Sequence, residues 1–141
     1  MVSTSSGEAL EKRFRAFRDD VSKFSNQTIS DFRLARDPSR SVRLNLGVTK
    51  AIFGKWGIEI LVAIYMLRAM RFEELRKTLR PISSRVLSQK VKLLENAGLV
   101  HRSILNTRPP RVQYSLTEKG LTVATLGEPV LLYLRLKEGL L

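Results

Sequence analysis

Between Arg71 and Tyr114 the sequence passes from helical spacing of apolar residues to two β-prone runs separated by a turn. The apolar residues of the first segment recur at intervals of three and four: Phe72, Leu75 and Leu79. That interval predicts a helix with one buried face. Arg80-Pro81 is predicted to end this helix, because proline lacks an amide proton and disfavours helix in the residue before it. Ile82 is expected to be a buried residue of the turn.

A second, longer helix is predicted to follow, capped by Ser83 or Ser84, because the first amides of a helix have no partner within it. One face of this helix is apolar and is formed by Val86, Leu87, Val91 and Leu94. The opposite face is polar and is formed by Ser84, Arg85, Ser88, Gln89 and Lys92. Gly98 is expected to end the helix, because glycine adopts a left-handed conformation without strain.

The polar face of the second helix has the chemistry of a surface that reads DNA. Arginine can make two hydrogen bonds to guanine and glutamine two to adenine in the major groove. Serine and lysine can reach a phosphate or a base edge. For an isolated helix, a solvated polar face is the more common explanation of the same residues, but the segment that follows changes that balance.

A β-hairpin is predicted next, because residues 99–105 and 111–116 are β-prone. The five residues between them, 106–110, are predicted to form a turn, because proline cannot join the hydrogen-bond ladder of a sheet. Arg108 and Arg111 flank its tip, where arginine suits a phosphate backbone or the negative potential of a minor groove. The alternative is an ordinary charged hairpin that keeps a sheet edge soluble. Helix, turn, helix and hairpin in this order predict a winged helix-turn-helix.

Five blocks of the sequence, in this order, resemble the HxlR family of small winged-helix transcriptional regulators, which are related in architecture to the MarR type. The blocks are Gly54-Lys55-Trp56, Arg71 to Arg76, Ile82 to Val91, Glu95 to Val100, and Pro109 to Gly120. The last of them is close to a signature of the family. The resemblance covers roughly residues 45–126, well over half of the chain.

The resemblance implies a homodimer bound to a two-fold symmetric operator in double-stranded DNA. It also implies roles for the polar residues. Those expected on the recognition helix are Ser84, Arg85, Ser88, Gln89 and Lys92, and those expected on the wing are Arg108 and Arg111. Two features depart from the family. The chain has no cysteine, which excludes the thiol sensing that some relatives use, and Gly127 and Pro129 are expected to interrupt the last helix.

The net charge of the chain is +12 over 141 residues, and it is unevenly distributed. Residues 42–141 hold seventeen basic and seven acidic residues, a net charge of +10, whereas residues 1–41 carry +2. Such a field attracts polyanions, and the attraction weakens steeply with salt. The charge agrees with DNA binding, although ribosomal proteins, RNA-binding proteins and proteins of membrane surfaces are basic as well.

Catalytic and metal chemistry finds no support in the sequence. His101 is the only histidine, and there is no glycine-rich phosphate loop and no carboxylate cluster with metal spacing. We therefore expect no enzyme, no metal and no cofactor. The longest apolar run, residues 58–70, is shorter than the roughly 20 residues of a membrane span and is predicted to be the buried first helix of the winged domain. No membrane partner and a cytoplasmic location are expected.

The N-terminal segment carries apolar surface that requires a partner. On a helix predicted from about Gly7 to Ser25, the apolar residues have the spacing of a heptad seam: Leu10, Phe14, Phe17, Val21 and Phe24. Ile29, Phe32 and Leu34 are expected in a second short helix, and Asp37-Pro38-Ser39-Arg40 is expected to be a linker. The seam is expected to pack on the C-terminal helix, within a subunit or across a dimer. A membrane-bound amphipathic helix is disfavoured by the acidic residues of this segment.

The C-terminal segment is predicted to begin with a helix capped by Thr117, with Leu121, Ala124 and Leu126 facing inward. The segment after Pro129 is rich in leucine. A dimer interface that includes Leu131 and Leu134 is expected there, because an exposed apolar patch of this kind would otherwise aggregate.

The sequence as a whole predicts a mainly α protein with a small β-wing (α+β), namely a winged helix-turn-helix with N-terminal and C-terminal dimerisation helices. The predicted domains are an N-terminal helical arm at residues 1–41, a DNA-binding domain at 42–126 and a C-terminal dimerisation helix at 127–141. The predicted function is sequence-specific regulation of transcription by a homodimer. The alternatives are a winged-helix protein-interaction module and a non-specific architectural nucleic-acid binder, and a small-molecule effector is left open.

Overall fold

The computed structural model describes residues 4–32 and 37–141, with the side chain of Ala51 excepted. The chain divides into two compact units. The arm unit comprises residues 1–47 and 128–141, and the winged unit comprises residues 48–127. Within the described ranges no helix is long and apolar enough to cross a membrane.

The described residues form six helices and one small three-stranded sheet. In sequence they are α1 (Thr4–Asp31), α2 (Pro38–Phe53), α3 (Gly57–Leu67), β1 (Met70–Arg71), α4 (Phe72–Thr78), α5 (Ser84–Asn96), β2 (Val100–Leu105), β3 (Arg111–Leu116) and α6 (Glu118–Lys137). This order confirms the predicted mainly α protein with a β-wing. The helices α2 and α6 extend across the boundaries predicted for the domains, and the roles predicted for those domains stay predictions.

The sheet is antiparallel and has the strand order β1-β3-β2. The hairpin of β2 and β3 runs in register from Val100 opposite Leu116 to Leu105 opposite Arg111. The strand β1 was not predicted. Its two residues are too few for a periodic pattern, and they join the sheet because Met70 lies opposite Tyr114, both of them buried.

The core of the winged unit joins three helices to the sheet. Its buried residues are Ile60, Leu61, Ala63, Ile64, Met70, Leu75, Ile82, Leu87, Val91, Leu94, Leu99, Val100 and Tyr114. This set confirms the apolar faces predicted for the two helices of the helix-turn-helix and the buried position of the turn residue between them. The buried helix predicted at residues 58–70 is confirmed in part, because α3 supplies buried residues to this core but ends at Leu67, and Met70 belongs to β1. Trp56 packs against this core.

The N-terminal segment differs from its prediction in two ways. The helix α1 continues to Asp31, so Ile29 belongs to it and not to a second short helix; Leu34 lies outside the described residues. The predicted linker at Asp37 to Arg40 is wrong, because α2 begins at Pro38. The Asp37 carboxylate accepts a hydrogen bond from the Arg40 amide at 3.0 Å. An acidic cap followed by proline at the first helical position is a start signal for a helix.

The C-terminal helix also differs from its prediction. Gly127 and Pro129 do not interrupt α6, which is continuous from Glu118 to Lys137. Proline removes one backbone hydrogen bond, but the segment beyond it packs on α1 through Tyr133, whose ring centroid lies 5.3 Å from that of Phe14. That contact belongs to the arm unit and stabilises the helix on the far side of the proline.

The inward face predicted for the first half of α6 is wrong in part. Leu121 and Leu126 are 46% and 74% exposed. Gly120 is buried instead, and Val123 packs against the core of the winged unit. The helix is therefore rotated relative to the prediction, because a close backbone approach at Gly120 sets which side faces the core.

Candidate nucleic-acid interface

The helix α5 is anchored by one face and presents the other to solvent. Leu87, Val91 and Leu94 are almost completely buried in the core of the winged unit. The five polar residues predicted for recognition are all exposed: Ser84, Arg85, Ser88, Gln89 and Lys92. The apolar anchor and the polar face lie on opposite sides because their spacing follows the period of a helix.

Both ends of α5 are fixed by local hydrogen bonds. At the start, the Ser83 hydroxyl accepts a hydrogen bond from the Val86 amide at 3.2 Å, so Ser83 and not Ser84 is the cap. At the end, Gly98 has a φ of 75°, and its amide donates to the Glu95 carbonyl at 2.9 Å. The Leu99 amide donates to the Leu94 carbonyl at 3.0 Å. These two bonds close the helix in a Schellman motif and direct the chain into the wing.

The wing is a two-stranded hairpin with a five-residue tip. The Thr107 hydroxyl donates to the Pro109 carbonyl at 2.8 Å, which holds the tip together. Arg108 lies in the tip and Arg111 begins β3 opposite Leu105, the last residue of β2. Both arginines are exposed. The tip therefore presents two guanidinium groups on a short, hydrogen-bonded loop.

Some basic side chains of the winged unit form an ion pair with a carboxylate, and others do not. On α4 the Arg76 guanidinium donates to the Glu73 carboxylate at 2.9 Å and 3.0 Å, and this bond holds the pKa of Glu73 below its usual value. By contrast, Arg85, Arg108 and Arg111 form no ion pair with any residue in the described ranges. Their charge is available to an external anion.

Two further exposed cations belong to the same elements and were not among the predicted site residues. Lys77 is exposed on α4, and Arg102 is exposed on β2. Arg102 lies opposite the buried Tyr114, and paired residues of an antiparallel sheet share one face. The alternation of side chains along the strand would therefore have placed Arg102 on the buried face, and its exposure could not be predicted. The charge sign was available from the sequence, but the exposure depended on the packing of the hairpin.

The residues predicted for dimerisation lie in the arm unit. Leu10, Phe14 and Leu131 are half-buried there, and Phe14 contacts Tyr133 on α6. The others are exposed by about half or more: Phe17 (48%), Val21 (43%), Phe24 (72%) and Leu134 (53%). The Glu11 carboxylate accepts a hydrogen bond from the Lys137 ammonium at 2.5 Å, which lowers the pKa of Glu11. The predicted packing of α1 on the C-terminal helix is thus present within one chain.

Metal chemistry has no structural basis in the described part of the chain. No group of three or more histidine, cysteine, aspartate or glutamate residues there could hold a metal ion. No buried side-chain polar atom in that part lacks a hydrogen-bond partner.

Comparison with known proteins gives a consistent result. The HxlR-like helix-turn-helix family matches residues 51–134. The chain is 39% identical over 84 residues to the uncharacterized HTH-type transcriptional regulator YdeP of Bacillus subtilis, a region that covers 60% of this chain and 62% of that relative, which is less than two thirds of its length. It is 36% identical over 75 residues to YdzF of the same organism, a region that covers 53% of this chain and 69% of YdzF.

Solved structures give the same fold. A MarR-family transcriptional regulator from Enterococcus faecalis V583 superposes with a TM-score of 0.58 at 31% identity, covering 70% of this chain and 86% of that one. The redox regulator HypR in its oxidized form superposes with a TM-score of 0.52 at 37% identity, covering 67% of this chain and 90% of that one. Because a family match extends over more than half of the sequence, this chain belongs to the HxlR-like helix-turn-helix family, which is a family of transcriptional regulators and not of enzymes.

Proposed function

We propose that the protein is a homodimer that binds a two-fold symmetric operator in double-stranded DNA and regulates transcription from it, in the cytoplasm. The observation that carries this proposal is the exposed polar face of α5, whose opposite face is locked in the core. A rigid helix with arginine, glutamine, serine and lysine on its free side has the donors that major-groove recognition uses.

We assign the two parts of the interface different roles. Arg85 and Gln89 read base edges, supported by Ser84, Ser88 and Lys92, because they project from a helix of the width that a major groove admits. Arg108 and Arg111 contact the backbone or the minor groove, because they lie on an exposed tip and carry charge that no carboxylate of the described residues neutralises. The surplus of basic residues supplies the sequence-independent part of the affinity.

Exposed apolar side chains on α1 and α6 support dimerisation through the arm unit. No residue of α1 is fully buried, although the helix carries five aromatic or branched residues in a continuous seam. Phe24 is 72% exposed, and Leu134 on α6 is 53% exposed. Apolar surface of this kind marks an interaction site, and a second copy of the same seam is an equally apolar partner. We therefore include Leu10, Phe14, Phe17, Val21, Phe24, Leu131 and Leu134 in the proposed dimer interface.

The experiment that tests the function is a selection of bound sequences from random duplex DNA at near-physiological salt. We expect enrichment of a two-fold symmetric motif whose half-sites lie about 10–10.5 base pairs apart, or a multiple of that distance. Binding without an enriched motif would favour a non-specific architectural protein. No binding to DNA would favour a winged-helix protein-interaction module instead.

The division of roles is tested by two classes of variant on the selected operator. Arg85→Ala and Gln89→Ala are each expected to relax base preference at one position by about 1–3 kcal/mol. Arg108→Ala is expected to weaken binding to all duplexes alike. It is also expected to reduce the slope of log affinity against log salt concentration by about 1. Arg13→Ala, which removes the same charge from an exposed position on α1, is the control. Equal effects of Arg85→Ala and Arg108→Ala on base preference would refute the assignment.

The dimer is tested by sedimentation of a variant that places a charge in the seam. Phe24→Asp is expected to yield a monomer, because an unpaired carboxylate is costly to bury in an apolar interface. Asn26→Asp introduces the same group on the opposite side of α1 and is expected to leave the dimer intact. A monomeric wild-type protein, or dissociation by both variants, would contradict the proposed seam.

A further inference from the structure

Two adjoining cavities lie in the winged unit between the end of α3, the end of β3 and the first half of α6. Their volumes are about 260 Å³ and 330 Å³, and both are lined by Tyr65, Arg68 and Leu121. Ile64 and Leu116 add apolar wall to the first cavity. Small-molecule sites typically have apolar walls and a few polar groups that fix the orientation of the ligand. The first cavity has that composition, whereas the surface of the second is more polar than apolar.

Arg68, which lines both cavities, has a strained backbone conformation. Its φ is 74° and its ψ is −83°, a combination that side chains with a Cβ rarely adopt and that glycine adopts readily. The residue is the C-cap of α3 and is separated from the short strand β1 only by Ala69, so the chain must turn sharply at this point. Strain of this kind persists where the surroundings impose it, and it is concentrated at functional sites. An arginine therefore stands where glycine would be the more stable choice.

The guanidinium of Arg68 is also free to pair with the negative charge of a ligand. It forms no ion pair with any residue of the described ranges, and the side chain is exposed at the rim. It is the single charged group in the lining of either cavity. The apolar wall of the first cavity beside one cation favours a ligand that carries one negative charge, because a second charge would have no opposite charge to pair with there.

We propose that these cavities are a binding site for a small organic monoanion, with an apolar body between α3 and α6 and a carboxylate on Arg68. A guanidinium can hold a carboxylate through two parallel hydrogen bonds, which fixes orientation as well as charge. The apolar body covers Leu121 and the neighbouring Met66, which are 46% and 64% exposed. The site is separate from the proposed DNA-binding residues, and its existence does not depend on DNA binding.

The test uses phenylacetate and its neutral isostere phenylacetamide, with affinity measured by calorimetry on the full chain. We expect phenylacetate to bind at least tenfold more tightly than the amide. Arg68→Gly is expected to lose at least tenfold of the phenylacetate affinity and, because it relieves the positive φ, to raise the melting temperature. If Arg68 serves ligand binding, Arg68→Gly lowers the affinity and raises the melting temperature. An arginine with a purely structural role would not give these opposite changes.

Two further variants make the test decisive. Arg68→Gln keeps a polar side chain of similar reach without the charge, and it must lose the same affinity even if the glycine variant folds poorly. Arg43→Gln, which removes the same charge from α2, must bind phenylacetate as the wild type does. Equal affinity for acid and amide, or no binding of either, would overturn the proposal. Unchanged phenylacetate affinity in Arg68→Gln, with an altered molecular mass by light scattering, would assign this surface to a contact between copies and would also overturn it.

Discussion

Gly120→Ala is expected to destabilise the winged unit strongly, although alanine is the better helix former. A Cβ at this position would lie 2.9 Å from the Leu99 carbonyl carbon and closer still to its oxygen. The obstacle is backbone and not a flexible side chain, and Leu99 is itself 2% exposed. The start of α6 therefore could not keep its approach to the residue that opens the wing.

The magnitude follows from three contributions. Overpacking a core typically costs about 1–3 kcal/mol, and a backbone neighbour places this site at the upper end. Displacing Leu99 would also break the hydrogen bond from the Thr117 amide to the Leu99 carbonyl, now 3.1 Å long, at a cost of about 1 kcal/mol. The helix propensity of alanine offsets about 1 kcal/mol of this sum. The expected loss in the free energy of unfolding is therefore about 3 kcal/mol.

The assay is chemical denaturation of Gly120→Ala beside Gly127→Ala. Gly127 lies in the same helix, and a Cβ there would meet nothing within 4 Å. Only the propensity difference applies at this position, so Gly127→Ala is expected to stabilise the protein by up to about 1 kcal/mol. If Gly120→Ala were as stable as the wild type, or if both alanines changed stability alike, the close approach of α6 to Leu99 would be refuted.

Three other changes test separate contacts. Ser83→Ala is expected to lower the free energy of unfolding by about 1 kcal/mol in denaturant titrations, because it removes the cap of α5, whereas Ser84→Ala leaves that cap in place. Lys137→Met is expected to return the pKa of Glu11 toward its ordinary value of 4.5, followed by NMR of the carboxyl carbon. Because the folded pKa is lowered, the contribution of this pair to stability is present above the ordinary value and is lost as the pH falls through the lowered one; an unchanged Glu11 titration would contradict the pair. Pro129→Ala is expected to raise thermal stability by restoring a helical hydrogen bond within α6, and a lower melting temperature would argue against that account.

Most features that depend on interactions between residues close in sequence were predictable, whereas features that depend on distant contacts were not. The cap at Ser83, the end of α5 at Gly98 and the strand boundaries of the wing depend on residues within a few positions of each other, and their signals were visible in the sequence. The linker prediction at Asp37-Pro38 failed for a reason that was also local. The same residues that suit a turn also suit the first turn of a helix. The apolar residues that follow, Val42, Leu44, Leu46 and Val48, alternate with a period of two, which does not indicate a helix.

The features that were missed or mispredicted depend on distant contacts. The strand β1 exists because Met70 pairs with Tyr114, and α6 continues through Pro129 where Tyr133 packs on Phe14. The orientation of α6 follows from the approach of Gly120 to Leu99, which turns Leu121 outward. None of these partners lies close in sequence, so a periodic pattern could not identify them.

The class of fold and the polar surface of α5 could be predicted from the amino-acid order, because apolar spacing, caps and turn residues act over one or two turns of chain, and five motif blocks indicated the family. Tertiary structure alone decided the face of α6, the third strand and the setting of Arg68. Arg68 illustrates the difference. Its charge is plain in the sequence, but its positive φ and its place on a cavity wall arise only when α3, β3 and α6 pack together. Such packing depends on surfaces that the chain brings into contact from distant positions.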